Sequence, residues 1–310
     1  MSWEPQVTLN ALNMRAEVNA QIRTFFQTRN VVEVETPILN RYAVTDLHID
    51  SIATENSRYM HTSPEYAMKR LLAFHKCDIY QLCKVFRANE SGRHHSNEFT
   101  MLEWYRVAWT YKDLMKEVAE IIATLVSDYI EPLDVAYISY QQIFKKYAGI
   151  DIQTANQADF LQICGDHSIK LNSALNTDQF QDLVLDQIII PKLEKRRMTF
   201  VFDFPAEQAA LAKLNDQNCA ERFELYFGGV ELANGFQELT DAQKQLSRFE
   251  EDNRQRLLAN KKAMEIDAEF IAALEYGLPE SAGVAIGIDR LLMVMLGTKD
   301  IKNVSTFSLD

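Results

Sequence analysis

Positive charge is the first thing this chain is short of. Its 310 residues carry 32 Lys and Arg against 44 Asp and Glu, a formal net charge of -12. Non-specific nucleic-acid binding depends on clustered Lys and Arg that neutralise phosphates, so stable nucleic-acid binding is not expected. The one basic run, Lys192 to Arg197 (KLEKRR), reads as a solvated helix end. Cysteine is sparse too. Cys77, Cys83, Cys164 and Cys219 are scattered without C-x-x-C spacing, which fits reduced thiols rather than a disulfide framework or zinc site. No run approaches the roughly eighteen uncharged apolar residues of a membrane helix. The start, MSWEPQVTLNALNMRAEVN, has no basic segment followed by an apolar one, so no signal peptide is expected and a cytoplasmic location is. His48, His61, His75 and His167 show no metal-ligand spacing and read as structural or surface residues. There is no internal repeat, no Pro/Gly/Ser linker, no nucleophile elbow, no Walker loop and no dinucleotide fingerprint.

What is present is ample core material: 47% hydrophobic residues and 10% aromatics. Leu12, Val18, Ile22, Phe25 and Phe26 follow helical spacing and predict a helix over 9–29, followed by a short β-branched strand from Val31 stopped at Pro37. Asp78–Phe86 and Phe99–Trp109 read as two antiparallel strands. Thr110 and Asp113 resemble a capping box before an amphipathic helix with Leu114, Val118, Ile121, Ile122 and Leu125 on one face. From Asp128 to Asn218 the pattern is mixed, with a helical run at 180–195 and a strand at 199–204. Glu221–Phe236 alternates as two strands joined at Gly228-Gly229. A polar helix from Thr240 to about Lys262, a small-residue strand at Gly283 and a helix over 289–296 close the chain. Antiparallel strands with outer helices predict an α+β domain around one mixed sheet, and residues 1–310 read as a single domain.

Two segments carry the chemistry. Val85 to Tyr105 (VFRANESGRHHSNEFTMLEWY) sets Arg87 after a strand, then a polar loop, then a second strand. Gly283 to Arg290 (GVAIGIDR) leads small residues into a helix headed by arginine. Two arginines on separate elements suit a triphosphate gripped at both ends, because a guanidinium forks onto two oxygens and a helix N-terminus favours anions. Glu224 and Glu231 lie on neighbouring strands across the Gly228-Gly229 turn. Their parity can bring both carboxylates to one face, an arrangement that suits Mg²⁺.

These segments resemble the second and third signature motifs of the class II aminoacyl-tRNA synthetases, and the helix–strand–proline start resembles the first. The wording is closest to lysyl-tRNA synthetases and their shortened paralogues, the elongation factor P–lysine ligases. The resemblance spans the chain, with no segment for an anticodon-binding domain. It implies ATP and Mg²⁺ as cofactors, and a homodimer through the first motif. Arg87 and Arg290 would be catalytic. Asn89, Glu90, Arg93, His95, Phe99 and Glu231 would join them in binding ATP, with Phe99 stacking on adenine. Glu224 and Glu231 would hold the metal. In the lysyl-type pocket, Glu65 of Thr62-Ser63-Pro64-Glu65 would take the backbone-type amine. Glu103, Tyr105 and Glu238 would take the side-chain ammonium, and Asn234 would orient the carboxylate. Ser63, Ala285 and Gly287 would line the pocket.

Charge counting agrees, since a lysine-like substrate brings two ammoniums that need acidic partners. Alanine at 285 stands where lysyl-tRNA synthetases carry glycine. The ligase branch shares the alanine and prefers (R)-β-lysine, whose amine sits one carbon further along. The resemblance therefore predicts activation of (R)-β-lysine with ATP and transfer to a lysine of elongation factor P. The rival readings are a truncated synthetase charging tRNA or another carrier, and a silent regulatory paralogue. Two departures stand out. Asn89 replaces the glutamate that contacts the adenine amine. Asn97 replaces the proline of the H-N-P-E-F segment, which predicts a more mobile loop.

Overall fold

The computed structural model describes residues 3–131, 134–171 and 175–307. In chain order come α1 (Leu9–Gln27), β1 (Val32–Glu33), β2 (Leu39–Asn40), β3 (Tyr59–Met60), α2 (Glu65–His75), β4 (Ile79–Phe86), β5 (Glu98–Val107) and α3 (Tyr111–Val126). Next are β6 (Val135–Ser139), α4 (Tyr140–Tyr147), α5 (Gln157–Asp166), α6 (Thr177–Val184), β7 (Met198–Pro205), β8 (Cys219–Phe227) and β9 (Val230–Gln237). The chain closes with α7 (Ala242–Leu258), α8 (Ala268–Gly277), β10 (Ser281–Gly287) and α9 (Ile288–Leu296).

Eight strands form one sheet in the order β1-β4-β5-β10-β9-β8-β7-β6. Its centre is antiparallel, and only the edge pairs β1–β4 and β6–β7 are parallel. This is the expected α+β arrangement. Side-chain alternation then divides the work between the two faces. One face turns Leu102, Trp104, Val284, Ile286, Leu225 and Ala233 into the main core against α1, α3 and α9. The opposite face is covered only at its flanks. Met68, Leu72, Phe270 and Leu274 of α2 and α8 pack beside Tyr105, while Tyr140, Phe144, Phe160 and Phe180 pack over β7 and β8. Between these two smaller cores the middle of the sheet is left for polar groups.

Three local readings change. The strand predicted from Val31 to Pro37 shrinks to Val32–Glu33, a sheet edge whose Val32 is exposed. At α3, Thr110 accepts from the Asp113 amide, but the Asp113 carboxylate returns to the Thr110 hydroxyl (2.6 Å) rather than to its N–H. The helical run at 180–195 is α-helical only to Val184. It then widens into a π turn over Leu185–Ile189 and ends as a 3-10 turn at Ile190–Lys192, where Pro191 cannot continue an α-helical ladder. The basic run beyond it is tied down locally: Lys192 donates to the Tyr147 carbonyl, Arg196 to the Glu131 carbonyl, and Arg197 pairs with Asp134.

Candidate active site

The sheet registers bring Glu103, Tyr105, Ala285, Asn234 and Glu224 of the sequence-predicted residues together. One row across the open face reads Gln81, Glu103, Ala285, Asn234, Glu224 on β4, β5, β10, β9 and β8. The next reads Tyr105, Gly283, Phe236, Arg222. Ala285 thus stands directly between Glu103 and Asn234. Gly283 has to be glycine: a Cβ there would lie 2.4 Å from both Glu238 Oε1 and the Tyr105 ring. The missing side chain leaves the room that those two groups occupy.

Glu231 and Asn234 pose a problem of parity. Three residues apart on a regular strand, they would face opposite sides. The pairing of β8 with β9 shifts between Leu225↔Ala233 and Tyr226↔Glu231, skipping Leu232. This bulge returns Glu231 to the face of Glu224 and Asn234 and leaves Leu232 buried in the main core. The tight turn before it uses Gly228 and Gly229, both at positive φ (67° and 86°), which suits a two-residue hairpin. The two carboxylates are therefore neighbours. Burial raises the Glu224 pKa above the ordinary carboxylate range, and the Glu231 charge adds to the rise. Glu224 is steadied by Arg222 (2.5 Å) and by the Tyr226 hydroxyl. Among the described residues no three His, Cys, Asp or Glu side chains converge into a metal cage. A pair of carboxylates fits Mg²⁺, which keeps waters and phosphate oxygens among its ligands.

At the other end of the row the pocket is deeply acidic. Glu103 accepts from Ser63 (2.7 Å) and from the Tyr105 hydroxyl (2.6 Å). Ser63 also accepts the Glu65 amide (3.0 Å), so the start of α2 is fastened to β5 through one hydroxyl. Sequence reasoning missed Lys69. It lies one turn after Glu65 on α2, is 1% exposed, and its Nζ stands 2.6 Å from Glu65 and 2.5 Å from Glu238. Burial pushes Glu103 up to about 7 and Glu238 up to about 8, with repulsion from Glu65 adding to both and Lys69 only partly offsetting it. The Asn234 amide oxygen is buried without a hydrogen-bond partner among the described residues.

The end that bears the two arginines is built differently. Arg87 donates to the Thr62 carbonyl (3.3 Å), pairs with Glu90 at 3.6 Å, and lies 5.2 Å from the centre of the Phe99 ring. Arg290 donates to the carbonyls of His94 (3.2 Å) and Glu231 (3.0 Å) and to His95 Nε2 (2.7 Å). Since a guanidinium can only donate, His95 is the acceptor there and is neutral. Burial lowers its pKa, and the Arg290 charge lowers it further. Arg93 is exposed, and its carbonyl accepts from Ile301 (2.8 Å). Gly287 caps the start of α9.

A second missed residue is Asp289. Buried, it accepts from the Thr100 amide (2.6 Å) and from Arg15 of α1 (2.5 Å), so it anchors the helix that carries Arg290. The departures also have visible consequences. Asn89 sits at φ 61°, a left-handed conformation that asparagine tolerates better than glutamate. The neck of the loop is not untied by the loss of proline: Asn97 accepts the Glu90 amide through its side chain (3.0 Å) and the Arg87 amide through its carbonyl (2.9 Å).

Residues 2–310 match the family described as tRNA synthetases class II (D, K and N). The chain is 41% identical over 319 residues to a Haemophilus influenzae (strain PittGG) protein named "Elongation factor P--(R)-beta-lysine ligase", covering 99% of this chain and 98% of the relative. Proteins of the same name from Mannheimia succiniciproducens and Edwardsiella ictaluri are each 41% identical, covering 100% of this chain and 98% of the relative. With a family match over residues 2–310 and relatives aligned end to end, the chain belongs to the class II tRNA synthetase family.

Proposed function

We propose that this protein is an ATP-dependent ligase that activates (R)-β-lysine and transfers it to the ε-amine of a lysine on elongation factor P. The observation that carries this reading is the acidic pocket of Glu65, Glu103 and Glu238, set one strand away from Ala285 on the face that also bears Asn234. It offers places for two ammoniums beside a donor for one carboxylate. The full-length relatives bear the matching name.

In the first step a carboxylate oxygen of the amino acid attacks the α-phosphorus of ATP. The bond to the β-phosphate oxygen breaks and pyrophosphate leaves. Arg87 neutralises charge at the α-phosphate and the attacking carboxylate, and Arg290 holds the γ-phosphate end. Glu224 and Glu231 would hold Mg²⁺, which screens the phosphate charge when bound. Glu65 takes the backbone-type amine; Glu103, Tyr105 and Glu238 take the second ammonium. In the second step the acceptor amine attacks the acyl carbon, loses its proton, and AMP departs. Exposed Leu9, Leu12, Val32, Ile38 and Leu39 lie on α1, β1 and the chain around β2, an apolar surface that suits a homodimer. No helix among the described residues is long and apolar enough to cross a membrane, and the four cysteines are free thiols, which suits the cytoplasm.

The test is amino-acid-dependent ATP–pyrophosphate exchange with (R)-β-lysine, (S)-β-lysine and L-lysine, followed by transfer to elongation factor P. Preference for (R)-β-lysine and labelling of the factor are expected. Preference for L-lysine with charging of tRNA would replace this reading, and exchange with none of the three would remove the enzymatic one.

A further inference from the structure

Lys69 is out of place by ordinary rules. Lysine is among the residue types least often buried, and an ammonium leaves water only with compensating partners. Here the whole side chain is buried, on a helix whose Arg70, Phe74 and His75 are exposed. Its stem follows the α2 face next to Met68 and Leu72. Its ammonium reaches past Glu65, one helical turn away, to Glu238 at the far end of β9. The Phe270 ring of α8 stands 6.0 Å below it. Lys69 therefore joins the two outer carboxylates of a pocket whose third, Glu103, is held by Ser63 and Tyr105.

The charge count of the pocket follows. Counted in their ionised forms, the forms that arriving ammoniums favour, three carboxylates and one ammonium leave two negative charges without a cation. We propose that Lys69 is a positioning residue that permanently fills one of three cation places in the amino-acid pocket, leaving two for a substrate that must bring two ammoniums. This rests on the lysine-type reading of the pocket given above. A substrate with one ammonium leaves a buried carboxylate unpaired, which is the costliest outcome for a buried charge. One with two makes the pocket neutral. With its place taken, the substrate cannot slide deeper to pair with Glu65 and Glu238 together, so its carboxylate stays in register with the α-phosphate site.

There is a second consequence. The proposed reaction acylates a lysine amine, yet this lysine belongs to the active site. Gripped by two carboxylates, Lys69 stays protonated. It has no lone pair to offer and does not compete with the acceptor.

The experiment replaces Lys69 with alanine and measures amino-acid-dependent pyrophosphate exchange, using whichever amino acid the unmodified enzyme activates best. That control separates failure of the substrate assignment from failure of this inference. The expected result is a fall in kcat/KM for the amino acid on the order of 100-fold, with ATP binding retained and poorer discrimination between amino acids that differ in amine position. Added propylammonium should restore both rate and discrimination in a saturable manner, whereas propanol, of similar shape but uncharged, should not. Rescue by propanol as good as by propylammonium would make Lys69 a packing residue and overturn the proposal. So would an unchanged kcat/KM, or no rescue in a variant that still binds ATP. If the alanine variant does not fold, Lys69→Met, which keeps the bulk of the stem, takes the same kinetic test. If neither folds in the presence of ATP, Lys69 serves the fold and the proposal is wrong.

Discussion

The two ends of the site are held in opposite ways. At the proposed amino-acid end, Lys69 and Glu238 have side chains 1% exposed and pair with each other across elements, while Glu103 accepts from the hydroxyls of Ser63 and Tyr105. At the proposed phosphate end, Arg87 and Arg290 have side chains 22% and 23% exposed; each donates to main-chain carbonyls and stands in a looser ion pair, with Glu90 at 3.6 Å and Glu231 at 3.5 Å respectively. A carbonyl is a weaker partner for a guanidinium than a phosphate, since its oxygen carries only a partial charge and a phosphate can accept two parallel hydrogen bonds. The arginines are thus parked where a phosphate can take them over at little cost. The amino-acid pocket is different: its ties are ionic and buried, and breaking one strands a charge. The difference separates a pocket that selects from a clamp that closes.

The comparison is broken most completely at Arg290. Arg290→Ala removes the proposed γ-phosphate contact but no buried ion pair. Pyrophosphate exchange should fall on the order of 1000-fold or more, while the melting temperature stays within a few degrees. Exchange close to wild type would take Arg290 out of the site. Glu238→Gln attacks the other end. It leaves Lys69 half-paired and removes one ammonium partner, so the amino-acid kcat/KM should drop about 100-fold and the melting temperature should fall, with nucleotide affinity unchanged. If ATP affinity collapsed instead, the two ends would not be separable.

Much of this site was legible in the sequence because its parts are local. Arg87 with its loop, and the Gly283–Arg290 segment, each carry their chemistry within a few residues of chain. What was hidden depends on long-range geometry. Glu231 and Asn234 share a face only because the register skips Leu232, and no alternation pattern announces a bulge. The Glu65–Lys69 spacing of four is visible in the sequence, yet ordinarily such a pair is solvated. Only Glu238, distant in the chain, makes Lys69 a buried cation. Asp289 was read as part of a motif, but its work is done with Arg15 and Thr100. The middle of the chain was harder to read than it needed to be. Ser139 with Gln142, Asn156 with Asp159 and Asn176 with Gln179 are capping boxes that mark α4, α5 and α6.

The pKa directions sharpen the comparison without a mutation. Glu103 and Glu238 lie above their ordinary value of 4.5, at about 7 and about 8, in the substrate-free fold. The folded chain therefore holds protons that the unfolded chain releases near 4.5. These groups make stability fall as pH rises from there toward 8. Ammoniums arriving in the pocket favour the ionised carboxylates, so substrate binding should release protons and tighten with pH across roughly 6 to 8, by up to about ten-fold per unit for one proton released. Calorimetry in buffers of different ionisation enthalpy reads this directly. Nucleotide binding at the arginine end should show no such proton release; equal release by both ligands would erase the distinction.

The smallest effect is expected where the two ends meet. Ala285 stands on β10 between Glu103 of the amino-acid pocket and Asn234, the neighbour of Glu224 in the register. On the proposed reading its methyl stands between the ammonium partners and Asn234, where the carbon bearing a backbone-type amine would pass. Ala285→Gly removes no charge and no hydrogen bond. It should leave both ends intact and relax only the shape between them, improving L-lysine activation relative to (R)-β-lysine by roughly ten-fold, the scale of one methyl in a binding pocket. Pyrophosphate exchange with the two amino acids measures that ratio. An unchanged ratio would mean that the position of the amine is read by the carboxylates rather than by the methyl. In that case the Glu65–Lys69–Glu238 bridge, which fixes where those carboxylates stand, becomes the part of the pocket that sets the choice.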